Sequence, residues 1–347
     1  MDELHKVAEQ FCPSIINIQP LGNGYINDTY RVDTSVKPFV LQRINKHVFP
    51  QPEQIMANLV CLNDHIGLQT DEQISLKIPQ LLLTQSGEHY LNDVEGDYWR
   101  GLDFIDNTES LETIGNLGQA KQVGAALGQF HRLTQTLSAE SLFDTLPGFH
   151  IAPDYYRQYQ QEKTKTNIQE NTECADFINK NQSIINELEA AKAQGLLINR
   201  TIHGDPKLNN FLFDKTSRQV VSLVDLDTVK PGLIHYDIGD CMRSCCHLDN
   251  GNEFSLDICR AILVNYLAEM GSVLSRVDYH MLYPAIRLIP FELGLRFYTD
   301  YLAGSRYFKV SEPDENLHRA LGQFRLCASV IKQEADIIKL IGDLQRE

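Results

Sequence analysis

A chain of 347 residues, 43% apolar and 22% charged, is long enough for two domains or one large two-lobed unit with an ample core. Its formal net charge of −15 excludes nucleic acid and anionic membrane as default partners, because both reward clustered Lys and Arg. No uninterrupted apolar run is long enough to cross a bilayer, and the opening MDELHKVAEQF is charged where a signal peptide would be apolar, so a cytoplasmic location is the expectation.

Behind a first helix, IINIQPLGNGYINDTYRVDT and KPFVLQRI set β-branched and aromatic residues between Gly, Pro and Asn, the composition of strands. QPEQIMANLVCLNDHI places Ile55, Leu59 and Leu62 on one helical face. LKIPQLLLTQSGEHYLNDVEGDYWRGLDFID reads as three further strands with a turn at Ser86-Gly87. These make a β-rich first lobe, residues 1–101, ahead of a mainly helical second lobe, 102–347. In the second lobe the stripe Val123, Leu127, Phe130 and Leu133 marks one long helix. The stretch from Asp154 to Gln194 is polar and helical, and is expected to face solvent. Strand signals return only in LINRTIHGD and NFLFDKTSRQVVSLVDLD, so the fold class is α+β. The cysteines are scattered without CxxC pairs; Cys241, Cys245 and Cys246 lack zinc-ligand spacing and read as buried helix residues.

Chemistry concentrates in His203-Gly204-Asp205-Pro206-Lys207-Leu208-Asn209-Asn210, followed by a strand pair and Val224-Asp225-Leu226-Asp227. Phosphoryl transfer from ATP needs a carboxylate at the attacking hydroxyl, oxygen ligands for Mg²⁺, a cation near the transferring phosphate and a cradle for the triphosphate. Asp205 can be the base, and Asn210, five positions on, can return its amide oxygen to the same cleft. Asp225 at a strand end is a second hard oxygen ligand, and Lys207 is placed to meet phosphate oxygens. As plain turn formers the aspartates would carry no chemistry. Upstream, LGNGYINDTY sets Gly22, Asn23, Gly24, Tyr25 and Asn27 between two strands, where glycines admit a phosphate close to backbone N–H groups; an ordinary hairpin turn uses the same residues.

HGDPKLNN and LVDLD together resemble the catalytic-loop and metal-binding motifs of the aminoglycoside phosphotransferase and choline kinase superfamily, relatives of the protein kinases. The resemblance implies a two-lobed protein-kinase-like fold, ATP and Mg²⁺ as cofactors, Asp205 as base beside Lys207, and Asn210 and Asp225 on the metal. It implies a structural role for Asp237 and for His131, and leaves Asp227 between a water-bridged second metal and a turn cap. The connector Gly101-Leu102-Asp103-Phe104-Ile105 would meet adenine, bringing Asp103 to the nucleotide. One departure stands out: Phe39–Ile44 lies where kinases carry Val-x-x-Lys, and the register puts Gln42 at the lysine. Either the phosphates are held without it or a cation such as Arg43 or Lys46 substitutes.

GNGYINDTY, FVLQRINKHVF, VDLDTVKPGLIHYDIGD, FELGLRFYTDYLAGSRYFKV and HRALGQFRLCASVIKQE resemble the N-acetylhexosamine 1-kinase branch, which often has His at Tyr25 and Asp at Ser305. That branch implies transfer to the anomeric hydroxyl of an amino sugar held by Asp205, Arg296 and Tyr307, with Arg243 a further candidate. Otherwise Arg296 would pair with Glu292, Tyr307 would be a core aromatic and Arg243 would pair with Asp237 or Asp240. An aminoglycoside, choline, ethanolamine or homoserine kinase is the alternative acceptor class. A non-catalytic nucleotide-binding scaffold is the alternative of another class, which only the missing lysine favours.

Overall fold

The computed structural model describes residues 3–22, 26–69, 74–248 and 252–346. Helix α1 (Glu3–Glu9) covers one face of an antiparallel sheet built from β1 (Ile15–Pro20), β2 (Asp28–Thr34) and β3 (Phe39–Arg43), and continued after helix α2 (Pro52–Gly67) by β4 (Leu81–Leu82), β5 (Leu91–Asn92) and β6 (Tyr98–Asp103). The sheet order is β1-β2-β3-β6-β4, with β5 also on β6. Alternation along β3 sends Phe39 and Leu41 into a small core with Val7, Ala8, Val32 and Trp99. Val40 and Gln42 therefore face the other way, and their register partners Leu102 and Arg100 share that face.

The second part runs through β7 (Thr108–Glu109), α3 (Leu117–Thr134), α4 (Ala152–Lys165), α5 (Thr172–Lys180), α6 (Glu187–Ala193), β8 (Arg200–Ile202), β9 (Phe211–Asp214), β10 (Val220–Leu223) and β11 (Lys230–Gly232). It finishes with α7 (Ile234–Cys245), β12 (His247–Leu248), β13 (Glu253–Phe254), α8 (Leu256–Met270), α9 (Arg276–His280), α10 (Leu282–Leu302), α11 (Glu315–Lys332) and α12 (Glu334–Leu344). Helices α3 and α8 meet backbone to backbone, because a Cβ at Gly124 would lie only 2.2 Å from the Ile262 carbonyl oxygen. Asn116 and Ser255 cap them by accepting the N–H groups of Gln119 and Ile258. Among the described residues no helix is long and apolar enough to cross a membrane.

Two expectations need correcting. The β-rich lobe does not close at residue 101, because β6 pairs through Asp103, and its helix is not its own. Ile55, Met56, Leu59 and Leu62 of α2 pack into the same core as Phe130, Phe211 and Leu226, so α2 ties the sheet to the second lobe. The stretch expected to be helical and solvent-facing is helical, as α4, α5 and α6, but it is not all at the surface. Tyr159, Cys174, Ile178, Ile185 and Leu188 from it pack with Phe291, Leu295 and Phe324 in a second core. A narrow apolar stripe suffices to bury a helix whose remaining face is polar.

Candidate active site

Two short ladders bring the motifs together. β8 pairs with β11 and β9 with β10, so the loop 203–210 between β8 and β9 lies beside the loop 224–229 between β10 and β11. Val224 N–H donates to Asn210 O at 2.9 Å and Thr228 Oγ1 to His203 O at 2.8 Å, stitching one loop to the other. Gly204 has φ of 87°, and a Cβ there would stand 2.5 Å from the Thr228 carbonyl oxygen, so both its conformation and the space require glycine.

Buried Asp237 on α7 anchors the loop from below. It accepts His203 N–H at 2.7 Å, Gly204 N–H at 2.8 Å and His131 Nε2 at 2.9 Å, which gives both residues the structural places expected of them. His203 Nε2 donates to Val224 O at 3.0 Å while its Nδ1 accepts Asp205 N–H at 3.3 Å; burial lowers its pKa, in keeping with this neutral form. His150, at φ of 66°, supports the loop from another side. Its Nε2 faces Gly204 O at 2.8 Å and its Nδ1 faces Glu292 Oε1 at 3.1 Å. Both neighbours are acceptors, so both ring nitrogens donate and the ring is an imidazolium. Burial pulls its pKa down, Glu292 pushes it up, and the net shift is upward.

The loop presents three polar side chains together. Lys207 Nζ lies 2.6 Å from Asp205 Oδ2 and 3.9 Å from Asp225 Oδ2. Burial pulls the ammonium pKa down, but Asp205 and Asp225 prevail and raise it. Asn210 Nδ2 donates to Asp205 O at 2.7 Å, which leaves its Oδ1 as the atom able to take a cation. Burial pushes the Asp225 carboxyl up to about 6, with Lys207 opposing and Asp227 and Asp205 adding like charge. Its side chain is nevertheless 43% exposed, so the carboxylate is reachable. Asp225 is also held at φ of 66°, a left-handed conformation costly for a non-glycine residue and common where function holds strain. Asn210 Oδ1 and the open Asp225 carboxylate are hard oxygen ligands of the kind a divalent cation takes.

On the nucleotide side, Gly22 has the positive φ (72°) of a tight turn, while Asn23, Gly24 and Tyr25 lie outside the described residues. Asn27 Nδ2 donates to Asp227 Oδ2 at 2.7 Å and its Oδ1 accepts Asn45 N–H at 3.0 Å. Gln42 is not an open phosphate contact: its Nε2 donates to Thr29 Oγ1 at 3.0 Å and its Oε1 accepts Arg100 Nε and Nη2 at 3.0 and 2.7 Å. Neither offered substitute is on that face. Arg43 pairs with Asp28 and Asp97, and Lys46 with Asp97. The buried cation is Arg100, whose Nη2 also bonds Asp227 Oδ1. Asp227 thus has one oxygen bonded to Asn27 and the other to Arg100, so it joins the loop to the sheet. Asp103 pairs with Lys37 at 2.8 Å and its N–H donates to Gln80 O.

On the far side of the loop, Arg243 Nε donates to Asp240 Oδ1 at 2.7 Å, the pairing that sequence spacing allows. Arg296 does not form the helical pair with Glu292, which His150 occupies. Its guanidinium lies 5.0 to 5.5 Å from the ring centres of Tyr155, Phe149 and Phe308. Burial pulls its pKa down, and Tyr155, Glu292, Tyr307 and Asp205 around it push it up and prevail. Tyr307 is 58% exposed, not a core aromatic, on a turn whose N–H groups at Arg306, Tyr307 and Phe308 all donate to Asp300. Buried Asp240 Oδ2 and Glu292 Oε2 have no hydrogen-bond partner among the described residues. Sequence reasoning missed Arg100, His150 and the Glu292 contact; only the departure at Gln42 pointed toward the first.

Residues 17–272 match the model of the phosphotransferase enzyme family, abbreviated APH. Solved structures share the fold at low identity. A microcompartment-associated aminopropanol kinase aligns at TM-score 0.63 and 15% identity, over 96% of this chain and 98% of its own. A GDP complex of aminoglycoside 2'-phosphotransferase-IIIa gives 0.63 and 15%, over 93% and 99%. An ethanolamine kinase from Plasmodium vivax gives 0.56 and 13%, over 93% and 84%. With its β-sheet lobe, helical lobe and a family match across most of its length, the chain belongs to the phosphotransferase enzyme family.

Proposed function

We propose that the protein is a cytoplasmic sugar kinase that passes the γ-phosphate of ATP to the anomeric hydroxyl of an N-acetylhexosamine, with Mg²⁺ as its metal. The observation that carries this is the joint placement of Asp205, Lys207 and Asp225 on one cleft wall with aromatic-caged Arg296 nearby.

In this reading Asp205 orients the sugar hydroxyl and takes its proton as the oxygen attacks the terminal phosphorus, the bond to ADP breaking in line. Lys207, its Nζ 2.6 Å from Asp205 Oδ2, meets the transferring phosphate. Asn210 Oδ1 and Asp225 would hold Mg²⁺, which when bound offsets triphosphate charge. Arg296 and Tyr307 bind sugar hydroxyls and the acetamido group, Arg296 being kept in one orientation by its three rings. Arg243 shapes the same wall through Asp240.

A second acceptor, an amino alcohol or aminoglycoside, has one observation in its favour. The unpaired oxygens of Asp240 and Glu292 suit a donor such as an ammonium group. Against it stands Arg296, a fixed cation that an ammonium would have to approach. Phosphorus NMR of the product formed from ATP and N-acetylglucosamine or N-acetylgalactosamine tests the proposal. A sugar 1-phosphate is expected; a 6-phosphate, or turnover of aminopropanol, ethanolamine, choline or an aminoglycoside with neither sugar, would contradict it.

A further inference from the structure

In phosphotransferases of this fold a strand lysine grips the nucleotide phosphates, and here glutamine stands in its register. We propose that Arg100 on β6 supplies the missing cation, gripping the ATP phosphates with Gln42 and Asp227 as its positioning residues; this rests on the reading of the protein as an ATP-dependent phosphotransferase.

Arg100 is the register partner of Gln42, so the two side chains leave the sheet on the same face. Gln42 is held by its bond to Thr29, and its Oε1 takes Nε and Nη2 of the guanidinium together. Asp227 takes Nη2 as well, so one edge of the guanidinium is clamped at two ends. The remaining nitrogen, Nη1, is buried without a hydrogen-bond partner among the described residues, in a side chain only 2% exposed. Buried guanidinium nitrogens are as a rule bonded, and one left open on a fixed fork is ready for a phosphate oxygen. Asp227 also bonds Asn27, which ties this fork to the strand behind the glycine turn. The other nearby cations are engaged elsewhere: Arg43 lies on the opposite face with Asp28, Lys46 pairs with Asp97, and Arg31, which shares the Gln42 face, is held by Asp33 at 2.7 Å and stacks over Phe104. The cation has thus moved one strand over, and glutamine in its former place has become its holder.

A buried Arg–Asp pair could instead serve only to join the lobes, so the test compares ligands with and without phosphates. Calorimetry with AMP-PNP and with adenosine is run on the wild type, Arg100→Gln, and Arg100→Gln combined with Gln42→Lys. Losing a charge-assisted contact should weaken AMP-PNP by about tenfold to a hundredfold in Arg100→Gln and adenosine by less than about twofold. Gln42→Lys should restore most of that loss for AMP-PNP and leave adenosine unchanged, a phosphate-selective rescue that a purely structural role does not give. Equal weakening of both ligands, or unchanged AMP-PNP affinity, overturns the proposal. A wild type that binds neither ligand overturns the phosphotransferase reading itself, and this proposal with it, whereas tight wild-type binding with an indifferent Arg100→Gln removes Arg100 alone. Should Arg100→Gln fail to fold, a crystal structure of the wild type with AMP-PNP decides. Nη1 at about 3 Å from a phosphate oxygen is expected; phosphates beyond about 5 Å overturn it.

Discussion

The loop 203–210 and the sheet face that carries Gln42 and Arg100 are both polar, yet they are built in different ways. The loop gathers Asp205, Lys207 and Asn210 within six consecutive residues, and backbone geometry alone brings them near one another. The sheet side joins Thr29, Gln42, Arg100 and Asp227, residues up to about two hundred positions apart, through side-chain bonds that only strand register and lobe packing create. Local constellations survive as sequence motifs, while non-local ones leave just a gap where a motif residue is missing.

That contrast can be pressed at four points. The largest effect is expected on the loop. Asp205→Asn should lower kcat by about 10²–10⁴-fold, the usual worth of a positioned base, with ATP affinity nearly intact. A variant retaining more than about a tenth of wild-type kcat would show that the proton goes elsewhere.

Next is the support beneath the loop. Asp237→Ala leaves the N–H groups of His203 and Gly204 and a nitrogen of His131 unpaired in the interior. A loss of about 3 kcal/mol in urea unfolding is expected. A cost under about 1 kcal/mol would mean that the loop holds its shape without Asp237.

His150 should give a smaller effect that depends on pH. Its folded pKa is raised, so its contribution is complete below the unfolded value of about 6.5 and fades as pH rises through the folded value. The melting-temperature gap between wild type and His150→Gln should therefore be widest in mild acid and narrow in alkali. A gap that is flat between about pH 6 and 9, or that widens, contradicts an imidazolium bridging Gly204 and Glu292.

The smallest effect belongs to Arg43. Its ion pairs are partly exposed, with 41% of its own side chain in solvent, so Arg43→Ala should cost no more than about 1 kcal/mol and leave AMP-PNP binding unchanged. Weakened AMP-PNP binding in this variant would move the phosphate cation back to Arg43.

Much of the architecture was legible beforehand for the same physical reason as the loop. Strands β1, β2 and β3, helix α2 and helix α3 announce themselves through local periodicity and turn residues. The polar appearance of α4, α5 and α6 misled because few apolar residues, such as Tyr159 and Ile178, suffice to seat a helix on α10 and α11. Arg100 read as a residue ahead of a connector, since nothing in Tyr98–Asp103 tells which strand it faces. The ion pair of Asp103 with Lys37 was equally hidden, because it joins residues sixty-six positions apart.

The most direct test of the metal–nucleotide site proposed for the two motifs is a calorimetric titration of ATP into wild type and Asp225→Ala, each with and without Mg²⁺. Mg²⁺ should tighten ATP binding to the wild type and give little or no gain in Asp225→Ala, while metal-free ATP binds both alike. An undiminished Mg²⁺ gain in Asp225→Ala would contradict the placement of the metal on this loop.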